Sequence, residues 1–345
     1  YHNAGVDVRL GDLASACAYA HAQRTHSSRK GCMGEPVAEH EGGFAGLLDM
    51  GRYFLVQTSD GTGTKMELAE RLGVYESIGR DLLAMVADDA VCTGAEVLGV
   101  SDTLDVPMVD PSVIDPLLRG FSLACTEQNI VITGGEIAEV PGGVSVPVWN
   151  ATAVGIVEKD RVLRPETIRP GDIVIALRES GCRSNGFSLI RRILQEHTHP
   201  ATWAELFLKP STIYHAALLT LLGRFGEPRK ISIKGLAHIT GGGIPSKLRR
   251  ILKKTGCGAK LHDLWLPPAV LADLLMMGEV SPEEAYRTFC MGNGMLMVLV
   301  PEEASRALAM LGEAGVEARV AGTITRDAEI VIATAGEDLR FSGVP

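Results

Sequence analysis

The stretch YFLVQTSDGTGTK, residues 53–65, carries the pattern that decides the fold. Its first half is a short run of aromatic and branched apolar residues, which is typical of a β-strand. Its second half is a loop in which Asp60, Gly61, Gly63 and Lys65 follow that strand. The common phosphate loop needs G-x-x-x-x-G-K-[ST], whereas the two glycines here stand one residue apart. The stretch predicts a strand that leads into a glycine-rich loop, and it leaves the ligand of this loop open.

Strand and helix patterns alternate around this stretch through both halves of the chain. In the first half, β-branched runs predict strands at 53–57, 97–101, 129–133 and 151–157. Apolar residues at helical spacing predict helices at 81–94 and 114–128. The second half continues with predicted strands at 173–177 and 294–300 and predicted helices at 187–194 and 301–315. Between the halves, the charged segment 158–172 contains two prolines and no apolar periodicity. Because 345 residues are many for one domain, we predict an α/β protein with domains 1–165 and 166–345.

Composition narrows the functional classes. A hydrophobic content of 46 % excludes a disordered chain, and a net charge of −9 argues against a nucleic-acid partner. No apolar run approaches the roughly 18 residues of a membrane span, and the first residues lack a basic-then-apolar signal. The seven cysteines are an odd number without C-x-x-C spacing, which favours reduced thiols. We therefore expect a cytoplasmic protein that binds neither nucleic acid nor membrane.

Acidic residues follow three predicted strands of the first half. Asp60, Asp102 and Glu136 come after the runs 53–57, 97–101 and 129–133. If these strands share a sheet, the acids gather at one edge, where α/β proteins bind ligands and where oxygen ligands favour Mg²⁺. Acids are also common turn residues after strands, so the pattern leaves this plainer interpretation open.

The predicted helix 81–94 adds acids on one side. Asp81 and Asp88 are seven residues apart and lie on nearly the same face, and Asp89 borders the apolar stripe. An acidic solvent-exposed face is the alternative interpretation.

Four glycine-rich segments are candidates for phosphate binding. Backbone N–H groups around Gly61 and Gly63 can form an anion-binding nest, and Lys65 can add a positive charge. The pair Gly42–Gly43 before Phe44 is a weaker example. In the second half, SNG at 184–186 and TGGG at 240–243 each precede a predicted helix, whose N-terminus attracts anions. A flexible glycine turn is the alternative for each of them.

These motifs together resemble the phosphoribosylformylglycinamidine cyclo-ligase family, also called aminoimidazole ribonucleotide synthetase. The matching segments run nearly end to end: YHNAGVD (1–7), GGFAGL (42–47), SDGTGTK (59–65), IGRDLLAM (78–85), GAE (94–96), GGEIAE (134–139), SNGFSLIR (184–191), LAHITGGG (236–243), YRTF (286–289) and GNGM (292–295). Several are weak singly, and their order and spacing make them specific.

The resemblance implies a two-domain, ATP-dependent synthetase of mixed α/β (α+β) class. Its N-terminal mixed sheet would pair across a homodimer, and a C-terminal α/β domain would follow. ATP would contact Gly42, Gly43, Phe44, Asp60, Gly61, Thr62, Gly63, Thr64, Lys65, Asp81 and Gly135. Mg²⁺ would bind Asp60, Asp89 and Glu136. The ribonucleotide substrate would contact Ser184, Asn185, Gly186, Thr240, Gly241, Gly242 and Gly243, and the catalytic residues would be Lys65, Asp102 and His238.

The implied reaction is the cyclisation of formylglycinamidine ribonucleotide in purine biosynthesis. ATP would phosphorylate the amide oxygen, and the amidine nitrogen would then attack within the same molecule, giving aminoimidazole ribonucleotide, ADP and phosphate. This chemistry needs positioning and charge neutralisation more than a covalent nucleophile. Accordingly, the sequence contains neither H-E-x-x-H nor G-x-S-x-G.

The chain departs from the family pattern at several positions. Asp88, Thr212 and Cys290 stand where asparagine, arginine and asparagine are expected, and Arg183 stands where histidine is common. Only Asp102 of an LDY motif remains in GVSDT (99–103), and Asn150 stands near an expected YD pair. Two alternatives follow. The protein could be another kinase or synthetase of the superfamily, such as one that resembles thiamine-monophosphate kinase, or a nucleotide-binding regulatory subunit without catalysis.

Overall fold

The computed structural model describes residues 8–38, 43–200 and 202–342. The motif at 1–7 and Gly42 therefore lie outside the described residues. The first half comprises α1 (Val8–His26), β1 (Glu35–Pro36), β2 (Gly46–Asp49), β3 (Tyr53–Gly61), α2 (Lys65–Leu72), α3 (Glu76–Val91), β4 (Glu96–Val106), α4 (Pro111–Gln128), β5 (Val131–Glu139) and β6 (Val148–Glu158). Within the described ranges, no helix is both long and apolar enough to cross a membrane.

The second half begins at the next strand. It comprises β7 (Ile173–Arg178), α5 (Phe187–Glu196), α6 (Thr202–Phe207), α7 (His215–Leu222), β8 (Ile233–His238), α8 (Gly243–Leu252), β9 (Gly258–Leu261), α9 (Ala269–Met277), α10 (Pro282–Thr288), β10 (Asn293–Leu299), α11 (Ala304–Glu313), β11 (Ala318–Thr325), β12 (Ile330–Ile332) and β13 (Leu339–Phe341). The alternation of helices and strands predicted from the sequence is thus present in both halves.

The first sheet has the strand order β1-β2-β3-β6-β4-β5. Strand β6 is antiparallel to both β3 and β4, and β5 is parallel to β4, so β3, β4 and β5 run in the same direction. One face is apolar because alternate residues such as Val56, Val100 and Ala153 point to α3 and α4 and are fully buried. The other face and the edge strand β5 expose apolar residues: Leu98, Val131, Ile132, Ile137, Val148 and Val154.

The second sheet has the order β13-β12-β9-β11-β7-β10-β8 and is enclosed more completely. All seven residues of β10 are buried, and so are the first five residues of β7. Strands buried on both faces read as continuous apolar runs, which is the pattern of GMLMVLV at 294–300.

The two sheets separate between residues 158 and 173, but the apolar cores do not. Phe187 of α5, Phe207 of α6 and Leu274 of α9 belong to the same buried cluster as Leu82 of α3. Helices of the second half therefore complete the core of the first sheet. The domain boundary at 165/166 stays a prediction, and the face between the halves is a packed interior.

The strands extend further than the sequence pattern indicates. Asp60, Asp102 and Glu136 were expected just beyond strand ends, but they lie inside β3, β4 and β5. The physical reason is backbone pairing: β3 stays in register with β6 through Asp60↔Ala151 and Gly61↔Asn150. A residue inside a strand has a fixed face, so this extension decides where each carboxylate points.

Candidate active site

The three strand acids lie in one transverse band of the first sheet, but on different faces. Asp60, Ala151, Asp102 and Gly135 are direct neighbours across four strands and share the helix-covered face. Glu136, the next residue of β5, points to the opposite face and is exposed. Three strand spacings also separate Glu136 from β3, about 14 Å.

The predicted metal set of Asp60, Asp89 and Glu136 is therefore not assembled within one chain. Magnesium–oxygen distances are about 2 Å, so one ion cannot contact both faces of the sheet at this separation. Consistently, no group of three or more histidine, cysteine, aspartate or glutamate side chains that could hold one metal ion occurs among the described residues. No pattern in the sequence assigns Glu136 to a face of the sheet.

Asp60 and Asp89 do come together, because α3 packs on the face of β3 that carries Asp60. Burial raises the pKa of Asp60, and the negative charge of Asp89 raises it further. Burial also raises the pKa of Asp89 to about 6, although the positive charge of Lys247 opposes this shift. The negative charge of Asp89 disfavours ionisation of Asp60, so a bound cation would improve the electrostatics of this pair.

Lys247, from the first turns of α8, is a cation that acts on both acids and that sequence reasoning missed. Burial lowers its pKa to about 8, with a further decrease from Arg250, while Asp89 and Asp60 raise it. The sequence feature that could have indicated Lys247 is its position four residues after Gly243, about one helical turn past the glycine run.

The loop that contains Gly43 and Phe44 is attached to the same helix. The Arg250 guanidinium lies 4.8 Å from the centre of the Phe44 ring. Thr58 on β3 donates a hydrogen bond to the Phe44 carbonyl at 3.4 Å. Because the charge of Arg250 also acts on Asp89, this loop borders the carboxylate pair.

The glycine-rich loops of the two halves converge beside these residues. A Cβ atom on Gly63 would lie 3.7 Å from the Ser184 carbonyl, and a Cβ atom on Gly241 would lie 3.3 Å from the Asn185 amide nitrogen. Thr64 Oγ1 and Ser188 Oγ are 3.3 Å apart, which joins the first loop to α5. The sequence predicts these loops as candidates for phosphate binding, and in the structure they lie next to one another.

Several polar atoms at this junction are buried without a hydrogen-bond partner. They are Thr62 Oγ1, Ser184 Oγ and Asn185 Oδ1. A buried hydroxyl without a partner costs about 1–3 kcal/mol, so such atoms call for a ligand or water. The N-cap residues of α2, α5 and α8, which are Thr64, Gly186 and Gly242, make no side-chain capping hydrogen bond. The junction therefore offers hydrogen-bond donors and helix dipoles to an anion.

One glycine of the TGGG loop is explained by helix packing and not by ligand binding. Gly243 has φ of +61°, and a side chain there would collide with the carbonyl oxygen of Tyr286 on α10. This residue is a glycine because α8 packs closely against α10, and the prediction that it contacts substrate has no support from this geometry.

Lys65 and Asp81 are placed differently from the prediction. Their side chains are fully buried and form an ion pair at 2.5 Å. Lys65 also donates to the Lys209 carbonyl at 3.0 Å, and Asp81 accepts from the Ser211 amide at 2.9 Å. This pair joins α2 and α3 to the segment 209–211. The structure does not support Lys65 as a catalytic phosphate ligand or Asp81 as an ATP contact, because neither side chain reaches a surface.

Asp102 is bonded within the first core. The Trp149 indole donates to Asp102 Oδ2 at 2.7 Å, and Gly135 lies so close that a Cβ there would contact Asp102 Oδ1. Burial raises the pKa of Asp102, while the indole bond lowers it. Its catalytic role and the ATP contact of Gly135 stay predictions, since one strand separates Asp102 from Asp60.

His238 is buried at the end of β8. Its Nδ1 is 2.7 Å from Asp89 Oδ1, and its Nε2 is 2.6 Å from the Arg183 guanidinium. Burial, assisted by the charge of Arg183, lowers the pKa of His238 well below its usual value. A neutral imidazole that holds Asp89 is an orienting group in this structure, and its assignment as a catalytic residue stays a prediction.

Comparison with known proteins gives the family. Residues 42–157 match the N-terminal domain model of AIR synthase related proteins, and residues 169–334 match the C-terminal domain model. The chain is 36 % identical over 344 residues to the phosphoribosylformylglycinamidine cyclo-ligase of Pyrococcus furiosus, covering 97 % of this chain and 98 % of the relative. It is 38 % identical over 326 residues to a chloroplastic/mitochondrial enzyme of the same name from Vigna unguiculata, covering 91 % and 78 %.

A solved structure confirms the fold. The hydrogenase maturation protein HypE, in complex with ATP, superposes with a TM-score of 0.61 at 18 % identity, covering 84 % of this chain and 85 % of that one. The predicted two-domain architecture, with mixed sheets in both halves, is thus confirmed at the level of the superfamily. With the matches to both domain models and to full-length relatives, the chain belongs to the phosphoribosylformylglycinamidine cyclo-ligase family of ATP-using synthetases.

Proposed function

We propose that the protein uses ATP to cyclise formylglycinamidine ribonucleotide to aminoimidazole ribonucleotide, with release of ADP and phosphate. The observation that carries the proposal is the junction of three glycine-rich loops beside Asp60 and Asp89, with partnerless buried oxygens on Thr62 and Ser184. A polar anionic ligand satisfies these atoms, and a metal–nucleotide complex also neutralises the paired carboxylates.

The residues present fit a magnesium ion bound together with a nucleotide. Mg²⁺ usually takes one or two protein carboxylates and completes its shell with phosphates and water, and Asp60 and Asp89 supply two. When bound, the ion neutralises charge on the transferred phosphoryl group. Lys247 supplies a further positive charge, and the N-termini of α2 and α8 supply backbone N–H groups.

In this proposal the protein acts by holding its substrates. The amide oxygen of the ribonucleotide bonds to the γ-phosphorus of ATP while the bond to ADP breaks. The amidine nitrogen then attacks the activated carbon, the bond between this carbon and the phosphorylated oxygen breaks to release phosphate, and the ring closes as a proton leaves the nitrogen. Ser184, Asn185 and Thr240 line the side of the junction from which the substrate would enter. Neither step needs a covalent nucleophile, and the five cysteines at positions 92, 125, 182, 257 and 290 are packed within the fold.

Three of the departures from the family pattern favour this reaction over an altered acceptor. Asp88 and Arg183 are fully buried and paired with each other at 2.8 Å, and Cys290 is 2 % exposed. These substitutions lie in a closed interior cluster, so they do not reshape a surface pocket for a different acceptor.

We propose a homodimer formed through β5 and the exposed face of the first sheet. The exposed apolar residues on β4, β5 and β6 form the kind of patch that marks a protein interface. Pairing of two first sheets through this face would cover Glu136, which is exposed in the single chain. A cytoplasmic location also stays a proposal; none of the seven cysteines is disulfide-bonded.

The test is a coupled assay with purified protein, ATP, Mg²⁺ and formylglycinamidine ribonucleotide. The expected result is equal amounts of ADP and the aminoimidazole product, both dependent on the ribonucleotide. Formation of ADP only with thiamine monophosphate would favour the kinase alternative. Tight ATP binding without turnover of any acceptor would favour a regulatory subunit, and both results would contradict the proposal.

Asp60→Asn is the matched variant for the site. It is nearly isosteric, so we expect normal unfolding and at least tenfold weaker binding of Mg-ATP, measured by calorimetry. Asp263→Asn, on the exposed Arg319 pair of the second half, serves as control. Unchanged affinity in Asp60→Asn would remove Asp60 from the site.

A further inference from the structure

Three departures from the family pattern, distant in sequence, meet at a single guanidinium group. Arg183 donates to Asp88 Oδ2 at 2.8 Å and to the Thr212 carbonyl at 2.9 Å. It also bonds Glu179 Oε2 at 3.0 Å and His238 Nε2 at 2.6 Å. Its side chain is fully buried, and its backbone has φ of +54°, a conformation that non-glycine residues rarely adopt. A strained backbone with four side-chain bonds indicates a residue that the fold holds in one position.

We propose that Arg183 is a positioning residue that aims Asp89 at the nucleotide site by fixing the ring of His238. This inference rests on the proposed site at Asp60 and Asp89. In the family pattern, asparagine, histidine and arginine are expected at positions 88, 183 and 212. In this chain the guanidinium stands at position 183, and Asp88 supplies a carboxylate partner for it at 2.8 Å.

The tautomer of His238 follows from the chemistry of its two neighbours. Arginine has only donors, so His238 Nε2 must be the acceptor and carries no proton. The remaining proton of the neutral ring is on Nδ1, which donates to Asp89 Oδ1 at 2.7 Å. Arg183 thereby sets the direction of both bonds, and the ring contacts only Oδ1 of Asp89, whose side chain is 16 % exposed.

The carboxylate of Asp88 is part of the same arrangement. Its Oδ1 accepts from the backbone amides of Tyr214 and His215, at 2.9 and 3.1 Å, so it caps the start of α7. Its Oδ2 is bound to Arg183. Removal of one member of a buried ion pair leaves the other charge uncompensated, so positions 88 and 183 should change together.

The experiment compares Arg183→His, Asp88→Asn and the triple variant Asp88→Asn/Arg183→His/Thr212→Arg, which carries the expected family residues. The first measurement is the ¹⁵N spectrum of ring-labelled histidine without nucleotide, with the His238 signal assigned by His238→Gln. The second is the Mg²⁺ concentration that half-saturates ATP binding. Arg183→Lys, which keeps the charge but cannot bridge four partners, replaces Arg183→His if the latter does not fold. Arg119→His is the control, because Arg119 on α4 forms an exposed ion pair with Glu76 on α3.

For the parent protein we expect a ring with protonated Nδ1 and unprotonated Nε2. Arg183→His and Arg183→Lys should lose this signature and need at least tenfold more Mg²⁺, whereas the triple variant should return to within about threefold of the parent. Two results would overturn the proposal: a folded Arg183 variant with unchanged ring signals and Mg²⁺ requirement, or a triple variant no better than Arg183→His. The ring signals need neither nucleotide nor turnover. A protein that makes no aminoimidazole product but shows the expected ring signals would therefore refute the proposed reaction and support the role of Arg183.

Discussion

Strands β5 and β10 show how much the two sheets differ in burial. All seven residues of β10 are buried, with neighbours on both sides and helices over the faces. In β5, eight of nine residues are exposed, and three of them, Val131, Ile132 and Ile137, are large and apolar. The second sheet is complete as a single chain, whereas the first sheet presents an edge and a face of the kind that other chains cover.

We infer from this difference that the second sheet mainly determines the stability of the folded chain, and that the first sheet mainly determines its assembly with other chains. The second sheet contributes a closed core, and α5, α6 and α9 of the same half also complete the core beneath the first sheet. The exposed side of the first sheet carries Glu136, which a single chain keeps away from Asp60. We therefore expect changes in the second sheet to affect unfolding, and changes on β5 to affect oligomeric state and activity.

The largest effect is expected for Ile132→Glu on β5. A charge at this exposed position of the edge strand should dissociate the dimer and lower cyclo-ligase activity by at least 100-fold, because the apolar side of the first sheet then loses its cover. Light scattering with size-exclusion chromatography measures the mass. Leu266→Glu, at a position that is 86 % exposed in the second half, is the matched control and should stay dimeric. A dimeric, active Ile132→Glu protein would place the interface elsewhere.

Lys65→Met tests the buried ion pair that links α2 to the second half. Because it leaves Asp81 as an uncompensated buried charge, we expect a loss of about 3–5 kcal/mol in the free energy of unfolding. Lys65→Met/Asp81→Leu should recover most of this loss. If Lys65→Met instead keeps normal stability and loses only ATP affinity, Lys65 contacts the phosphate as the sequence first predicted.

Leu296→Ala on β10 sharpens the comparison of the two sheets. Deleting a fully buried leucine should cost about 2–5 kcal/mol, because the packed strands cannot collapse into the cavity. Val131→Ala, made in the Ile132→Glu background, should change stability by less than about 0.5 kcal/mol. Denaturant unfolding of both proteins gives the values, and equal losses would mean that β5 is as enclosed as β10.

His215 on α7 gives a smaller, pH-dependent effect where the two halves meet. It accepts the Val97 amide of β4 at 3.0 Å, and burial, assisted by Arg224, lowers its pKa to about 3. As pH falls below about 6.5, the unfolded chain takes up a proton that the folded protein refuses, so stability decreases down to about pH 3. We expect about 2 kcal/mol less stability at pH 5 than at pH 7 from this residue. His215→Gln should remove this contribution, whereas His197→Gln, at an exposed position, should retain it.

The sequence predicted the elements well because their signals are local. Periodicity located α3, α4, β7 and β10, and the glycine loops were each predicted as candidates for phosphate binding. Motif order identified the family before any geometry was known.

What the sequence missed depended on faces and partners. Nothing local shows that β5 continues through Glu136 and turns that side chain away from Asp60. Burial of Lys65 with Asp81 depends on the segment 209–211, and the position of Arg183 depends on Asp88, 95 residues earlier. Departures that looked separate along the chain form one cluster in space.

The most direct test of the central claim is a crystal structure with a non-hydrolysable ATP analogue and Mn²⁺, whose anomalous signal locates the ion. We predict the ion in contact with Asp60 and Asp89, with the triphosphate against residues 61–64 and the N-terminus of α8. An ion and triphosphate bound away from these carboxylates, with Thr62 and Ser184 still without partners, would contradict the account.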